Sequence, residues 1–196
     1  HRLPTAQAAS NLGYAVHVVA IDDGFANQFT ARGFTLHSRS LQTDTWPIFS
    51  SILGFFQLLI LCLKLRPTLV HVIGMKSSPV GLLVSLLWRP GRFLFSINGL
   101  GFLFSISNQS IFHRFTKSAM MVTFAIVSKL RNIEILFQNE DDKRVFENSA
   151  SLRHMKSHLV RGSGVDMTHY AAAPLPALPI TFGIACRMLK IKGVED

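Results

Sequence analysis

Acidic side chains are scarce in this chain. Eleven Asp and Glu stand against twenty Lys and Arg in 196 residues, giving a formal net charge of +9 and a pI of about 10.2. The excess is diffuse: eight basic and three acidic residues over positions 1–110, nine and five over 111–161, three and three over 162–196. A nucleic-acid reader concentrates its cations in a stripe, so this pattern favours an anionic small molecule or an anionic membrane surface instead. Cysteine is nearly missing. Cys62 and Cys186 lie far apart in apolar runs, which excludes a disulfide framework and predicts reduced core thiols in a cytosolic protein. No apolar run reaches the roughly 20 residues that a spanning helix needs. The longest, Ile52 to Leu65, carries Gln57 and Lys64 and is expected to be a buried helix. The dinucleotide fingerprint is also lacking: after Gly99 and Gly101, Phe104 stands where the third glycine belongs. Internal repeats are absent, and the sole biased tract is an Ala/Pro segment near the end.

What is present alternates between two periods. Leu3, Ala6, Ala9 and Leu12 recur at helical spacing and Gly13 ends that helix. Ala15–Ile21 is a β-branched run, expected as a buried strand, and Phe34–His37 a weaker one. Phe49–Leu65 predicts a helix stopped by Arg66-Pro67, Leu69–Ile73 a strand, Ser78–Trp88 a helix and Arg92–Ile97 a strand. Ile111–Leu130 predicts a helix, Ile133–Phe137 a strand, and Asn139 with Glu140, Asp141 and Asp142 a helix start, acids in the first turn. Strands alternating with helices call for an α/β fold: a Rossmann-like parallel sheet with helices on both faces.

In such sheets ligands bind beyond the carboxyl ends of the strands. That rule selects Asp22 and Asp23, His71 with Lys76, Asn98 to Gly101, Asn139 with Glu140, and Gly162 to Asp166. Gly99 and Gly101 let backbone approach a ligand closely, and Phe102 and Phe104 beside them are placed to line a site. Each candidate has a plainer reading. His71 inside an apolar strand also suits a hydrogen-bonded core histidine, and Asp141 and Asp142 suit a helix start.

The stretch from His158 to Lys192 sets the domain organisation. A short strand signal at Leu159-Val160 runs into Gly162-Ser163-Gly164, then a segment with Pro174, Pro176 and Pro179, then a fresh β-like run over Ile180–Ala185. Proline stiffens such a connection. Residues 1–160 therefore form a first domain, 161–179 a linker and 180–196 the start of a truncated second domain. Arg187 and Lys192, just past the last run, suit a diphosphate in a cleft; solvated cations on a surface loop are the alternative. The first residue is His1 and the last ones, Gly193 to Asp196, read as a helix entry, so both ends are expected to be cut.

Several of these stretches, taken in order, resemble glycosyltransferase family 4. They are His1-Arg2-Leu3-Pro4 with Gly13-Tyr14 and Val16-His17-Val18, Arg66-Pro67 with Leu69-Val70-His71, Lys76 with Gly81, and Asn98-Gly99-Leu100-Gly101. Phe137 to Asp142, Gly162-Ser163-Gly164-Val165-Asp166, and Arg187 through Lys192-Gly193 continue the series. The resemblance is nearest to members that build capsule, O-antigen or lipopolysaccharide glycans on a polyprenyl-diphosphate carrier.

The resemblance implies a retaining enzyme of GT-B architecture, with an acceptor-side N-terminal domain and a C-terminal domain that binds a nucleotide sugar. It implies that Arg187 and Lys192 hold the donor diphosphate, with no metal or other cofactor. It further implies that Arg2, His71, Lys76, Asn98, Gly99, Gly101, Asn139, Glu140, Gly162, Ser163, Gly164 and Asp166 line the acceptor side of the cleft. The partners implied are a nucleotide sugar, a glycan or polyprenyl-diphosphate-linked acceptor and an anionic membrane, not nucleic acid. The place implied is the cytoplasm, peripheral at the inner face of the plasma membrane, with Arg114, Lys117 and Lys129 toward the lipid.

A first strand with its glycine loop is expected before His1, and paired glutamates beyond Asp196. With Ile97-Asn98 where many relatives carry histidine, no catalytic histidine is assigned; Ser77 stands where close relatives often have proline. These residues by themselves are expected to be inactive. Two other classes stay open at this point: a dinucleotide-binding oxidoreductase domain with Asp22 on a ribose, and a non-catalytic membrane-apposed remnant.

Overall fold

The computed structural model describes residues 3–21, 24, 26–38, 47–99, 111–149, 152–162 and 164, with the isolated positions 167, 170, 174, 179 and 183; for 47–49 and 111–113 it describes backbone alone. The element order is α1 (Leu3–Asn11), β1 (His17–Ala20), α2 (Ala26–Thr30), β2 (Thr35–Ser38), α3 (Pro47–Leu65), β3 (Leu69–Ile73), α4 (Ser78–Leu87), β4 (Arg92–Ile97), α5 (Ile111–Leu130), β5 (Ile133–Phe137), α6 (Glu140–Glu147) and β6 (Lys156–Leu159). The fold is α/β and Rossmann-like, with parallel sheets and helices on both sides. By contacts the chain divides into two units, His1–Ser163 and Gly164–Asp196.

One parallel sheet was expected; the described strands form two. β1 pairs with β2, and β3-β4-β5-β6 form a four-stranded sheet, every pairing parallel. No described strand bridges β1 and β3, so the ladder breaks there.

Parallel neighbours cannot be joined by a tight turn, so each pair spends a helix on its crossover. The strand order β3 to β6 follows the chain, and right-handed crossovers in one direction put α4, α5 and α6 on one face. That face holds the core: Val72, Phe93, Phe95, Ile97, Ile135 and Phe137 all alternate inward and are buried. Phenylalanine rings close the layer. Phe124 of α5 meets Phe95 edge-on at 5.5 Å, and Phe146 of α6 meets Phe124 at 5.6 Å and Phe137 at 5.2 Å between centroids. Edge-on pairs of this kind add about 0.5–1.5 kcal/mol beyond the area they bury.

Several expected elements differ from those observed. α3 begins at Pro47 rather than Phe49; proline is tolerated in a first turn, where no backbone donor is needed. α4 ends at Leu87, because Trp88 leaves the helix in an extended conformation with its N–H bonded to the Val84 carbonyl. β1 is four residues long and alternates exposed and half-buried, so it is not the continuously buried strand expected over 15–21. β6 lies at 156–159, ahead of the Leu159-Val160 signal. α2 went unread because five residues are too few to show a helical period. α3 was expected to be buried, yet only one side of it is: Cys62 is enclosed while Phe56 and Leu63 face out. An apolar run has no polar stripe to mark its outer side, so composition overstated its burial. Burial pushes the Cys62 thiol up to about 11, which keeps it protonated and inert. Cys186 lies outside the described residues.

Arg131, just after α5, fastens the far end of the layer. Its guanidinium donates to the carbonyls of Trp88, Arg89 and Gly91 at 3.1, 2.9 and 3.4 Å. Burial, and then the charge of Arg89, lower its pKa. In the smaller sheet His17 Nδ1 and His37 Nε2 lie 3.0 Å apart with stacked rings. With both rings neutral, one N–H donates to the bare nitrogen of the other ring.

A Cβ on Gly81 would stand 2.6 Å from Val72 Cγ2 and 3.0 Å from Phe95 Cε1, and Val72 is stiff and buried. Gly81→Ala should therefore lower urea stability by about 1–3 kcal/mol, against the gain of about 1 kcal/mol that Ala brings to an open helix. His37 has its pKa lowered by burial and then by His17. The unfolded chain thus takes up the proton more readily, and stability falls as pH drops through the ordinary histidine value of 6.5, levelling off below the native pKa. Thermal melts across that range should show the slope, and His37→Gln should flatten it.

Candidate functional site at the carboxyl edge of the sheet

Because β3 to β6 are all parallel, the segments that follow them leave from one edge. After β3 the chain turns at Gly74, whose φ of 88° suits glycine. Gly74 N–H donates to the Ser96 carbonyl at 2.8 Å, and Ser78 Oγ donates to the Gly74 carbonyl at 3.1 Å. This stitched turn carries Met75 inward and leaves Lys76 exposed at the start of α4. After β4 come Asn98, exposed, and Gly99, at a φ of 141° with nothing within 4 Å of where a Cβ would be. After β6, Val160 N–H donates to the Phe137 carbonyl at 2.9 Å and Gly162 N–H to the Gln138 carbonyl at 3.4 Å. That draws the Gly162 turn, φ 64°, against the end of β5.

Asn139 opens α6. Its Oδ1 accepts from the Asp142 N–H at 2.7 Å and its Nδ2 donates to Asp142 Oδ2 at 2.8 Å. The side chain is an N-cap, and Glu140, Asp141 and Asp142 sit in the first turn, where the helix dipole favours negative charge.

The edge thus brings together Lys76, Asn98, Gly99, Asn139, Glu140 and Gly162. His71 lies inside β3, two residues before its end, half-buried, with Nε2 2.6 Å from Ser96 Oγ. Ser96 went unnoticed in the sequence. Its signal was available: a lone hydroxyl in the apolar strand RFLFSI, on the parity opposite the buried phenylalanines. Gly164, at φ 68°, belongs to the second unit. Arg2, Asp22, Asp23, Gly101, Phe102, Phe104, Ser163, Asp166, Arg187 and Lys192 lie outside the described residues. Among the described residues no group of three or more His, Cys, Asp or Glu could hold a metal ion. An edge with Lys76, the acids of the first turn of α6, amides and open glycine backbone suits a polyhydroxylated ligand better than an apolar one.

A model of the glycosyl transferase 4-like family matches residues 1–139. The chain belongs to that family. The match spans every described element from α1 to β5 and stops at the residue that caps α6. Membership makes this a glycosyltransferase domain, and such enzymes take a sugar donor and an acceptor. A search of curated proteins finds no match.

The cap separates structure from chemistry at Asn139. Asn139→Ala should cost about 1 kcal/mol of stability in urea. Asn139→Ser should restore most of it, since a hydroxyl accepts the same N–H, whereas Asn139→Asp should not, because it loses the donor to Asp142 Oδ2 and sets two carboxylates together.

Proposed function

We propose that this protein is a retaining, GT-B-type hexosyltransferase. It moves a sugar from a nucleotide-sugar donor to a glycan or a polyprenyl-diphosphate-linked acceptor during assembly of a cell-surface polysaccharide such as capsule or lipopolysaccharide. The observation that carries the reading is the family match over residues 1–139, joined to an α/β domain whose post-strand segments meet at one edge. In this reading that edge receives the acceptor, through Lys76, Asn98, Gly99, Glu140 and Gly162; Arg2, Gly101, Ser163 and Asp166 are proposed as further acceptor-binding residues. Residues 161–179 link it to a donor domain that starts near residue 180.

Negative charge grows on the leaving phosphate as the glycosidic bond breaks. Cations fixed at that position bind the transition state more tightly than the ground state and lower the barrier. Arg187 and Lys192 take that role, so the chemistry needs no metal ion. The protein works in the cytoplasm at the inner face of the plasma membrane. Support for that comes from α5, which carries Arg114 and Lys129 at exposed positions and Lys117 at a half-buried one.

Transfer by the protein with its complete donor domain, from a panel of radiolabelled nucleotide sugars to lipid-linked acceptors, tests the reading. One donor should support turnover, and Arg187→Ala and Lys192→Ala should each lower kcat/KM by about 10²–10³ without moving the melting temperature. Full activity in both variants, or no transfer from any donor, would overturn it.

A further inference from the structure

α3 and α4 each leave one side outside the core, and that side is apolar. α3 turns Ile52, Phe56, Ile60 and Leu63 outward, a stripe at helical spacing. α4 turns out Leu83 and Leu87. The two helices pack on each other, and between them runs an open groove of about 690 Å³. Ile52 and Phe56 line it from α3, and Val80, Leu83 and Leu87 from α4; Ser51 is the sole polar residue among its described lining. A contiguous apolar patch of this kind marks a surface that something covers.

Shape, area and charge select the occupant. The stripe on α3 stands as a ridge beside the groove, so one surface holds both a knob and the hole for it. A two-fold contact between identical chains needs that self-complementarity, because each patch meets a copy of itself. The six outward side chains keep between 48% and 61% of their surface exposed. At roughly 100 Å² each they offer about 600 Å² of apolar surface per copy, against the roughly 800 Å² per partner that a standard stable interface buries.

Charge fixes the direction of the pairing. α3 carries one charged residue, Lys64 in its last turn, and α4 carries none. Arg66 follows α3 and Arg89 follows α4. Both helices run back against their parallel strands, so Lys64, Arg66 and Arg89, all exposed, stand at the amino edge of the sheet. Parallel copies would set these cations against one another, at a cost. Antiparallel copies, related by an axis through the middle of α3, carry them to opposite ends and leave only apolar side chains between.

We propose that this face pairs two copies of the chain. α3 of one copy lies antiparallel on α3 of the other, about a two-fold axis between Phe56 and Ile60. Phe56 of each copy then meets Ile60 of the other at the lip of the α3–α4 groove. The pairing goes beyond the sugar transfer proposed above and does not rest on it.

Light scattering behind size-exclusion chromatography reads the mass of the purified protein. The wild type should elute at twice the mass of one chain. Phe56→Glu and Ile60→Lys should each elute as monomers, because a charge then sits among apolar side chains on both sides of the axis. Mixed together, the two variants should regain the dimer mass, since the substituted position 56 of one chain then faces the substituted position 60 of the other with opposite charge. Recovery on mixing also shows that both variants are folded. A monomeric wild type overturns the proposal, and its sedimentation with phosphatidylglycerol vesicles would then give the face to lipid. Variants that stay dimeric, or monomeric variants that stay apart on mixing, overturn it as well.

Discussion

Ring-on-ring packing between the four-stranded sheet and its helices is the constraint on which the other features depend. Phe95, Phe124, Phe146 and Phe137 form a chain of contacts from β4 through α5 and α6 back to β5. Large flat side chains fill the space between two layers only when strand and helix hold fixed heights and registers. The close seat of α4 obeys the same limit: Gly81 lets the helix backbone approach Val72 and Phe95 where any side chain would collide. At the far end Arg131 replaces hydrophobic contact with three charged hydrogen bonds to the 88–91 turn. The half-buried guanidinium thus satisfies carbonyls that the turn leaves outside any helix or strand.

The packed layer has two consequences for function, at opposite ends of the same elements. All four strands point one way, so every post-strand segment emerges at the carboxyl edge. Backbone hydrogen bonds from Gly74 to Ser96 and from Gly162 to Gln138 tie neighbouring segments together there. The helices run the other way, so their basic ends gather at the amino edge. One face of α3 is spent on the core and its other face stays apolar. A single topological fact thus separates a polar, glycine-rich edge from an apolar surface with basic helix ends.

Much of the main sheet was legible in the residues. β3 and β4 fall where apolar β-branched and aromatic runs stop at Gly74 and Asn98, β5 where such a run stops at Gln138, and α6 begins at the Asn139 cap ahead of three acids. Those signals are local: a strand's burial, a cap's side chain and a first-turn charge each act within a few residues. The candidate site was legible as a set of loops, because the alternation of strand and helix already implies a shared carboxyl edge. It was not legible as contacts. Nothing nearby in sequence tells His71 that its partner is Ser96, or Gly162 that its N–H reaches Gln138. The His17–His37 stack across β1 and β2 was hidden for the same reason.

By themselves, then, the residues determined the α/β class, the boundaries of the longer elements to within about two residues, and the glycosyl transferase 4-like pattern, since all three are carried by period, caps and short ordered motifs. The tertiary structure alone decided that the described strands split into two sheets, that His71 meets Ser96, and that one side of the long apolar helix α3 faces outward. Each of these depends on which surface meets which, and hydrophobic burial has no direction until the chain has packed.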